Sequence, residues 1–99
     1  MKLSSQLALF LRDNPTWYPK PVLQAMVWKD QKKFTIYTDE TVGRKLRGLE
    51  NGEESKDGIP VIACKPYGKT VQYKYLPTDL RKKYIPTAQR ENDQLFVKS

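Results

Sequence analysis

The sequence predicts an α+β domain in which three helices precede a two-stranded β-hairpin. Two observations carry this prediction. Apolar residues recur at helical spacing in three segments before residue 52, and they alternate with polar residues after residue 69. The chain has 99 residues, a length that fits one domain with a small core. We expect the domain to span residues 1–84, with a flexible tail over 85–99.

The first helix is predicted over residues 3–13. Leu3, Leu7 and Leu11 are one helical turn apart and give this segment one apolar face. Pro15 disfavours helical backbone in the residue before it, so the helix is expected to end there.

The second helix is predicted to begin at Pro19 or Pro21, because proline suits the first turn of a helix. It is expected to end near Trp28. Its apolar stripe consists of Val22, Leu23, Met26 and Val27. Residues 34–37 then form a β-prone run, and the sequence leaves open whether this run is a strand or an extended lead into the next helix.

The third helix, over residues 38–51, has the clearest signals. Thr38 is a good N-cap, and Gly52 stands where a left-handed residue ends a helix. Gly43 and Gly48 each cost about 1 kcal/mol relative to alanine inside a helix, so tertiary packing or a close contact must explain them. The buried stripe is expected to consist of Val42, Leu46 and Leu49.

The hairpin is predicted to span residues 59–76, with strands at 59–65 and 70–76 and a loop from Pro66 to Lys69. Cys64 is expected to be a buried strand residue. The core-facing residues of the second strand are expected to be Val71, Tyr73 and Tyr75. After the hairpin, residues 78–84 are expected to form a short helical turn. Its basic residues Arg81, Lys82 and Lys83 fit phosphate contacts and simple solvation equally well.

The residue types argue against an enzyme or a metalloprotein. The chain contains no histidine and one cysteine, so it lacks the commonest general base and an internal disulfide. The sequence therefore predicts no catalytic residue, no metal and no cofactor. It has neither an apolar run long enough to cross a bilayer nor a signal peptide. We expect a cytoplasmic protein that does not bind membranes.

The charge indicates an anionic partner. The formal net charge is +7, and residues 59–78 contain three lysines and no acidic residue. On the third helix, Arg44 and Arg47 project opposite the apolar stripe, with Thr41 and Lys45 on the flanks. The candidate nucleic-acid-binding residues are Thr41, Arg44, Lys45, Arg47, Lys65, Tyr67, Lys69 and Lys74.

The segment Glu-Thr-Val-Gly-Arg-Lys-Leu-Arg-Gly-Leu-Glu-Asn-Gly at residues 40–52 resembles the recognition helix of winged-helix DNA-binding regulators. Small members of this family occur in phages and archaeal viruses. The resemblance implies a winged helix, with a helix-turn-helix core, helix 38–51 in the major groove of double-stranded DNA and hairpin 59–76 as the wing. It also implies transcription regulation, a location in the host cytoplasm if the source is viral, and it allows a homodimer.

Two other functions are compatible with the sequence. Winged-helix domains also serve as protein-interaction modules within larger nucleoprotein or viral assemblies. Basic surfaces with aromatic residues also bind single-stranded RNA. Against RNA, the alternation predicts that Tyr73 and Tyr75 face the core and do not form an open stacking platform.

Overall fold

A computed structural model describes residues 2–29 and 38–87 of the chain. Within these ranges the fold is α+β, as the sequence predicts, with four helices and a three-stranded antiparallel sheet. The elements in chain order are α1 (Leu3–Asp13), β1 (Tyr18–Pro19), α2 (Lys20–Lys29), α3 (Asp39–Asn51), β2 (Ile62–Tyr67), β3 (Thr70–Tyr75) and α4 (Thr78–Arg81). The β-prone run at residues 34–37 lies outside the described residues.

Among the described residues the sheet has three strands, which corrects the predicted two-stranded hairpin. All its pairs are antiparallel, and its order is β1-β3-β2. The added strand β1 has only two residues, and it pairs Tyr18 with Tyr73 and Pro19 with Gln72. A two-residue strand is too short to show alternation in the sequence. Proline cannot donate to a ladder, so an edge strand is where Pro19 is tolerated.

The hairpin begins later and turns more tightly than the sequence predicts. Strand β2 starts at Ile62, since the Val61 N–H donates to the carbonyl of Leu49 at the end of α3, at 2.9 Å. At its other end β2 continues through Pro66 to Tyr67, where a turn at residues 68–69 leads into β3. Strand β2 lies at the sheet edge, where a proline removes no inter-strand bond if its nitrogen faces outward.

The main core lies between the three long helices and one face of the sheet. The predicted stripe of α3 is confirmed, because Val42 and Leu46 are fully buried and Leu49 is 3% exposed. Burial of one such side chain contributes roughly 1.5–3 kcal/mol. The fully buried residues that share this core from α1, α2 and β2 are Leu7, Leu11, Leu23, Val27 and Ile62. Cys64 and Tyr73 are also buried in this core, as predicted.

A second, smaller apolar cluster covers the opposite face of the sheet. Ala63 alternates with its core-facing neighbours in β2 and packs with Leu76 and Tyr84. Trp17 and Leu80 add partly buried surface to this cluster. The predicted helical turn over residues 78–84 is shorter in the structure, where α4 ends at Arg81.

Ordered packing continues past Tyr84. Ile85 and Pro86 are buried, and the Thr87 N–H donates to both carboxylate oxygens of Glu50 at 3.1 Å. Glu50 is itself a buried residue of α3. The chain after the hairpin therefore returns to the end of α3.

Tyr84 covers the open edge of β2. Its hydroxyl accepts a hydrogen bond from the Cys64 N–H at 2.8 Å, and an edge strand otherwise presents such groups to solvent or to other chains. We expect Tyr84→Phe to lower the free energy of unfolding by about 1–3 kcal/mol, because it removes a buried acceptor. Urea unfolding monitored by tryptophan fluorescence would measure this. An unchanged midpoint would show that the ring alone stabilises the edge.

Candidate nucleic-acid interface

Both ends of α3 are fixed by the residues that the sequence singles out. At the start, the Thr38 hydroxyl accepts a hydrogen bond from the Thr41 N–H at 3.1 Å, as an N-cap does. At the end, Gly52 has a φ of 91° in the left-handed region. The candidate residue Thr41 is half-buried, and its hydroxyl lies 2.9 Å from that of Thr38. Its hydroxyl therefore also belongs to the cap.

The outward face of α3 presents two arginines. Arg44 and Arg47 are exposed and lie three residues apart, so their side chains are neighbours on the helix surface. Between the residues that the structure describes, the ion pairs are Arg12–Asp13 and Lys45–Glu54. Neither arginine takes part in them, so within the described part of the chain no carboxylate occupies the guanidinium donors, which suit an external acceptor.

Lys45 has a different environment. Its ammonium donates to the Glu54 carboxylate at 2.8 Å, and the two side chains are 33% and 26% exposed. Glu54 follows α3 and folds back over Gly48, where an added Cβ would lie 2.5 Å from the Glu54 Cγ. Gly48 thus makes room for the returning loop. This close contact explains why a glycine stands inside α3 at this position. To reach a phosphate, Lys45 would have to leave Glu54.

The Lys45–Glu54 pair has a consequence for the pH dependence of stability. The hydrogen bond from Lys45 holds the pKa of the Glu54 carboxyl below its usual value of 4.5, with smaller contributions from the charge of Lys45 and from Ser4, while burial opposes them. A carboxyl whose pKa is depressed in the folded state stabilises the fold above the unfolded pKa. This contribution is lost as the pH falls through the folded pKa.

We therefore expect Glu54→Gln to lower the free energy of unfolding by about 0.5–1 kcal/mol at neutral pH, a value suited to a partly exposed pair. Well below pH 4.5, where the wild-type carboxyl is protonated, the two proteins should be equally stable. Urea unfolding at both pH values measures the difference. A deficit that persists in acid would indicate that packing on Gly48, and not the ion pair, is what the glutamate supplies.

The tip of the hairpin is exposed. Tyr67 is 53% exposed, and Lys69 lies in the turn beside Gly68, which has a φ of 59°. Gly68 thus lies in the left-handed region, which glycine adopts without steric cost. An aromatic ring and an ammonium group therefore stand at the tip, and the strands around them contain no acidic residue.

The two remaining candidates lie on the sheet face that is turned away from the helices. The register pairs Lys74 with Ala63 of the second cluster, and Lys65 follows Ala63 on the same face of β2. Both lysines are half-buried, and the Lys65 ammonium lies 4.3 Å from the centroid of the Trp17 ring. This cation–π contact holds the Lys65 side chain against the protein surface.

The basic residues near α4 also separate into two kinds. Arg81 donates to the carbonyl of Leu76 at 3.1 Å and to the Tyr75 hydroxyl, and it lies over the Tyr75 ring. It therefore has a structural role at the end of β3. Lys82 and Lys83 are exposed.

The structure thus brings the eight predicted residues into two groups. Thr41, Arg44 and Arg47 share α3, with Lys45 turned toward the loop after it. The second group, on the hairpin, consists of Lys65, Tyr67, Lys69 and Lys74. Among the described residues, no group of histidine, cysteine, aspartate or glutamate could hold a metal ion. No helix in the described ranges is long and apolar enough to span a membrane.

Sequence reasoning missed one basic residue that lies against α3. The Lys20 side chain crosses Gly43, so that its Nζ is 3.1 Å from the position where a Cβ would stand. The only sequence signal was the glycine itself, since a glycine inside a helix indicates the close approach of another group.

Comparisons with protein-family models, with curated proteins and with solved structures found nothing that matches this chain.

Proposed function

We propose that this chain is a winged-helix protein that binds double-stranded DNA and acts as a transcriptional regulator. In this proposal α3 enters the major groove, and the hairpin β2–β3 contacts the neighbouring backbone as a wing. The order of the elements supports the architecture, because three helices and then a hairpin are what a winged helix requires.

The observation that carries the proposal is the division of α3 into two faces. Val42, Leu46 and Leu49 are buried against the domain, while Arg44 and Arg47 are exposed and lack ion-pair partners among the described residues. A helix in the major groove needs this division, because its back packs on the protein while its front presents donors to base edges and phosphates. Arginine can donate two hydrogen bonds to one guanine.

The hairpin supports the proposal through charge and exposure. Lys69 and Tyr67 are exposed at the tip, and residues 59–78 contain no acidic side chain that would repel a phosphate backbone. An exposed tip of this kind suits contact with phosphates or entry into the minor groove.

The decisive experiment is a binding titration with mixed-sequence duplex DNA over a series of salt concentrations. A protein that neutralises several phosphates releases their counterions, so the logarithm of the affinity should fall steeply and linearly with the logarithm of salt. Flat binding, or none at low salt, would refute DNA binding and favour a protein-interaction module. Competition with single-stranded RNA is the control for the type of nucleic acid. If RNA displaces the duplex more effectively than unlabelled duplex DNA does, a duplex site is refuted.

A selection of binding sites from random duplexes would then define the target. One short helix reads few base pairs, and a two-fold symmetric dimer doubles the site. A palindromic selected sequence would therefore indicate a homodimer, whereas a single asymmetric site would indicate a monomer.

A further inference from the structure

We infer that Lys20 and Arg47 form a subsite for one backbone phosphate, with Gly43 as its floor. This inference rests on the proposed function and refines it. It assigns Arg47 to the phosphate backbone and leaves Arg44 as the arginine that reads a base edge.

The first step is the position of the two cations. Where a Cβ would stand on Gly43, the Lys20 Cε and Nζ are both 3.1 Å away, and the NH1 nitrogen of Arg47 is 3.5 Å away. The ammonium and the guanidinium therefore approach the same point on α3. Because Gly43 has no side chain, this point is open enough for both of them.

The second step is the register of the two helices, which fixes where Lys20 lies. Gln24, one turn after Lys20 on α2, donates to the carbonyl of Asp39 at 3.2 Å. Asp39 in turn is one turn before Gly43 on α3. Two successive turns of α2 thus face two successive turns of α3, so the contact between Lys20 and Gly43 follows from helix packing.

The third step is electrostatic. Two like charges that share one point repel each other, and among the ion pairs between described residues neither Lys20 nor Arg47 has an acidic partner. Lys20 is also the first residue of α2 and has no acidic residue in that first turn, although the positive end of a helix dipole disfavours a cation there. An oxyanion between the two groups removes both penalties at once.

Lys45 provides the contrast on the same helix. Its charge is compensated by Glu54 at 2.8 Å, whereas no described acidic residue forms an ion pair with Lys20 or Arg47. A phosphate is the oxyanion that a DNA-binding surface meets, and charge-assisted hydrogen bonds from arginine and lysine suit it well.

The test compares three variants for binding to mixed-sequence duplex DNA over a salt series. Lys20→Gln should lower the salt slope by about one and should weaken all sequences alike, because it removes one phosphate contact. Gly43→Ala should weaken binding in the same way, since the new Cβ displaces the lysine. It should leave the melting temperature unchanged or higher, because alanine favours a helix. Lys56→Gln is the matched control, since it removes one exposed lysine from the loop after α3, where no DNA contact is assigned.

An unchanged slope in Lys20→Gln would overturn the subsite while leaving DNA binding intact. An equal loss in Lys56→Gln would also overturn it, because the effect would then come from net charge. If the wild-type chain binds no duplex, a titration with inorganic phosphate followed by amide NMR decides separately. A shift of the Gly43 amide that disappears in Lys20→Gln supports the subsite, and its absence in the wild type overturns it.

Discussion

Replacing both Arg44 and Arg47 with alanine is expected to weaken binding to duplex DNA at least about thirtyfold. Each contact to a base or a phosphate is worth roughly 1–3 kcal/mol, and 1.4 kcal/mol corresponds to a factor of ten. Both side chains are exposed on α3, so the double variant should unfold at the same temperature as the wild type. Fluorescence anisotropy with a labelled duplex measures the affinity, and thermal unfolding verifies the fold.

The matched control is the double variant Lys2→Ala/Lys56→Ala, which also removes two positive charges from exposed positions, neither of which is assigned a DNA contact. If both double variants lose the same affinity, the effect comes from net charge and α3 has no special role. The single variants then separate the two arginines. Arg44→Ala should relax the preference at one base pair, and if it changes neither affinity nor preference, the placement of α3 in the groove is wrong.

The helices could be predicted from the sequence because their signals are local. The structure confirms α1 at Leu3–Asp13, and on α3 it confirms the Thr38 cap and the left-handed Gly52. Each of these features depends on residues within one or two helical turns, so a single sequence is sufficient to recognise it.

Strand β1 could not be predicted because its cause is not local. Tyr18 and Pro19 form a strand only because β3 lies beside them in the folded chain. The same holds for Tyr84, whose hydrogen bond to Cys64 spans 20 positions of sequence. A short segment that pairs or packs across the fold leaves no periodic pattern of its own.

The candidate site shows the same limit. The helical wheel placed Arg44 and Arg47 outward and gave Lys45 a flanking position, but nothing in it indicated that Glu54 returns to neutralise Lys45. Nor did it indicate that Lys20 of another helix lies on Gly43. In the sequence, only Gly43 and Gly48 indicated these two contacts. A glycine inside a helix marks a place where another part of the chain approaches closely.

Gly52→Ala is expected to lower the free energy of unfolding by about 3 kcal/mol or more, a large part of the 5–15 kcal/mol typical of a domain. The residue has a φ of 91°, which costs alanine about 1–2 kcal/mol. In addition, the new Cβ would stand 2.2 Å from the carbonyl oxygen of Gly58. The backbone must therefore move, and the loop that carries Glu54 to Lys45 must move with it. Urea unfolding measures the loss.

Gly58→Ala separates the two causes within the same loop. Gly58 also has a positive φ, of 71°, but an added Cβ would meet nothing within 4 Å. The Gly58→Ala variant should therefore lose only about 1–2 kcal/mol of unfolding free energy, which is the cost of the left-handed backbone for alanine. Its affinity for DNA should be unchanged. If Gly52→Ala lowers the free energy of unfolding no more than Gly58→Ala does, the loop moves away from the new Cβ at residue 52 without a loss of stability. The end of α3 would then depend on backbone conformation alone. A larger loss would mean that the closure of this loop on Gly52 holds α3, and with it both arginines, in place.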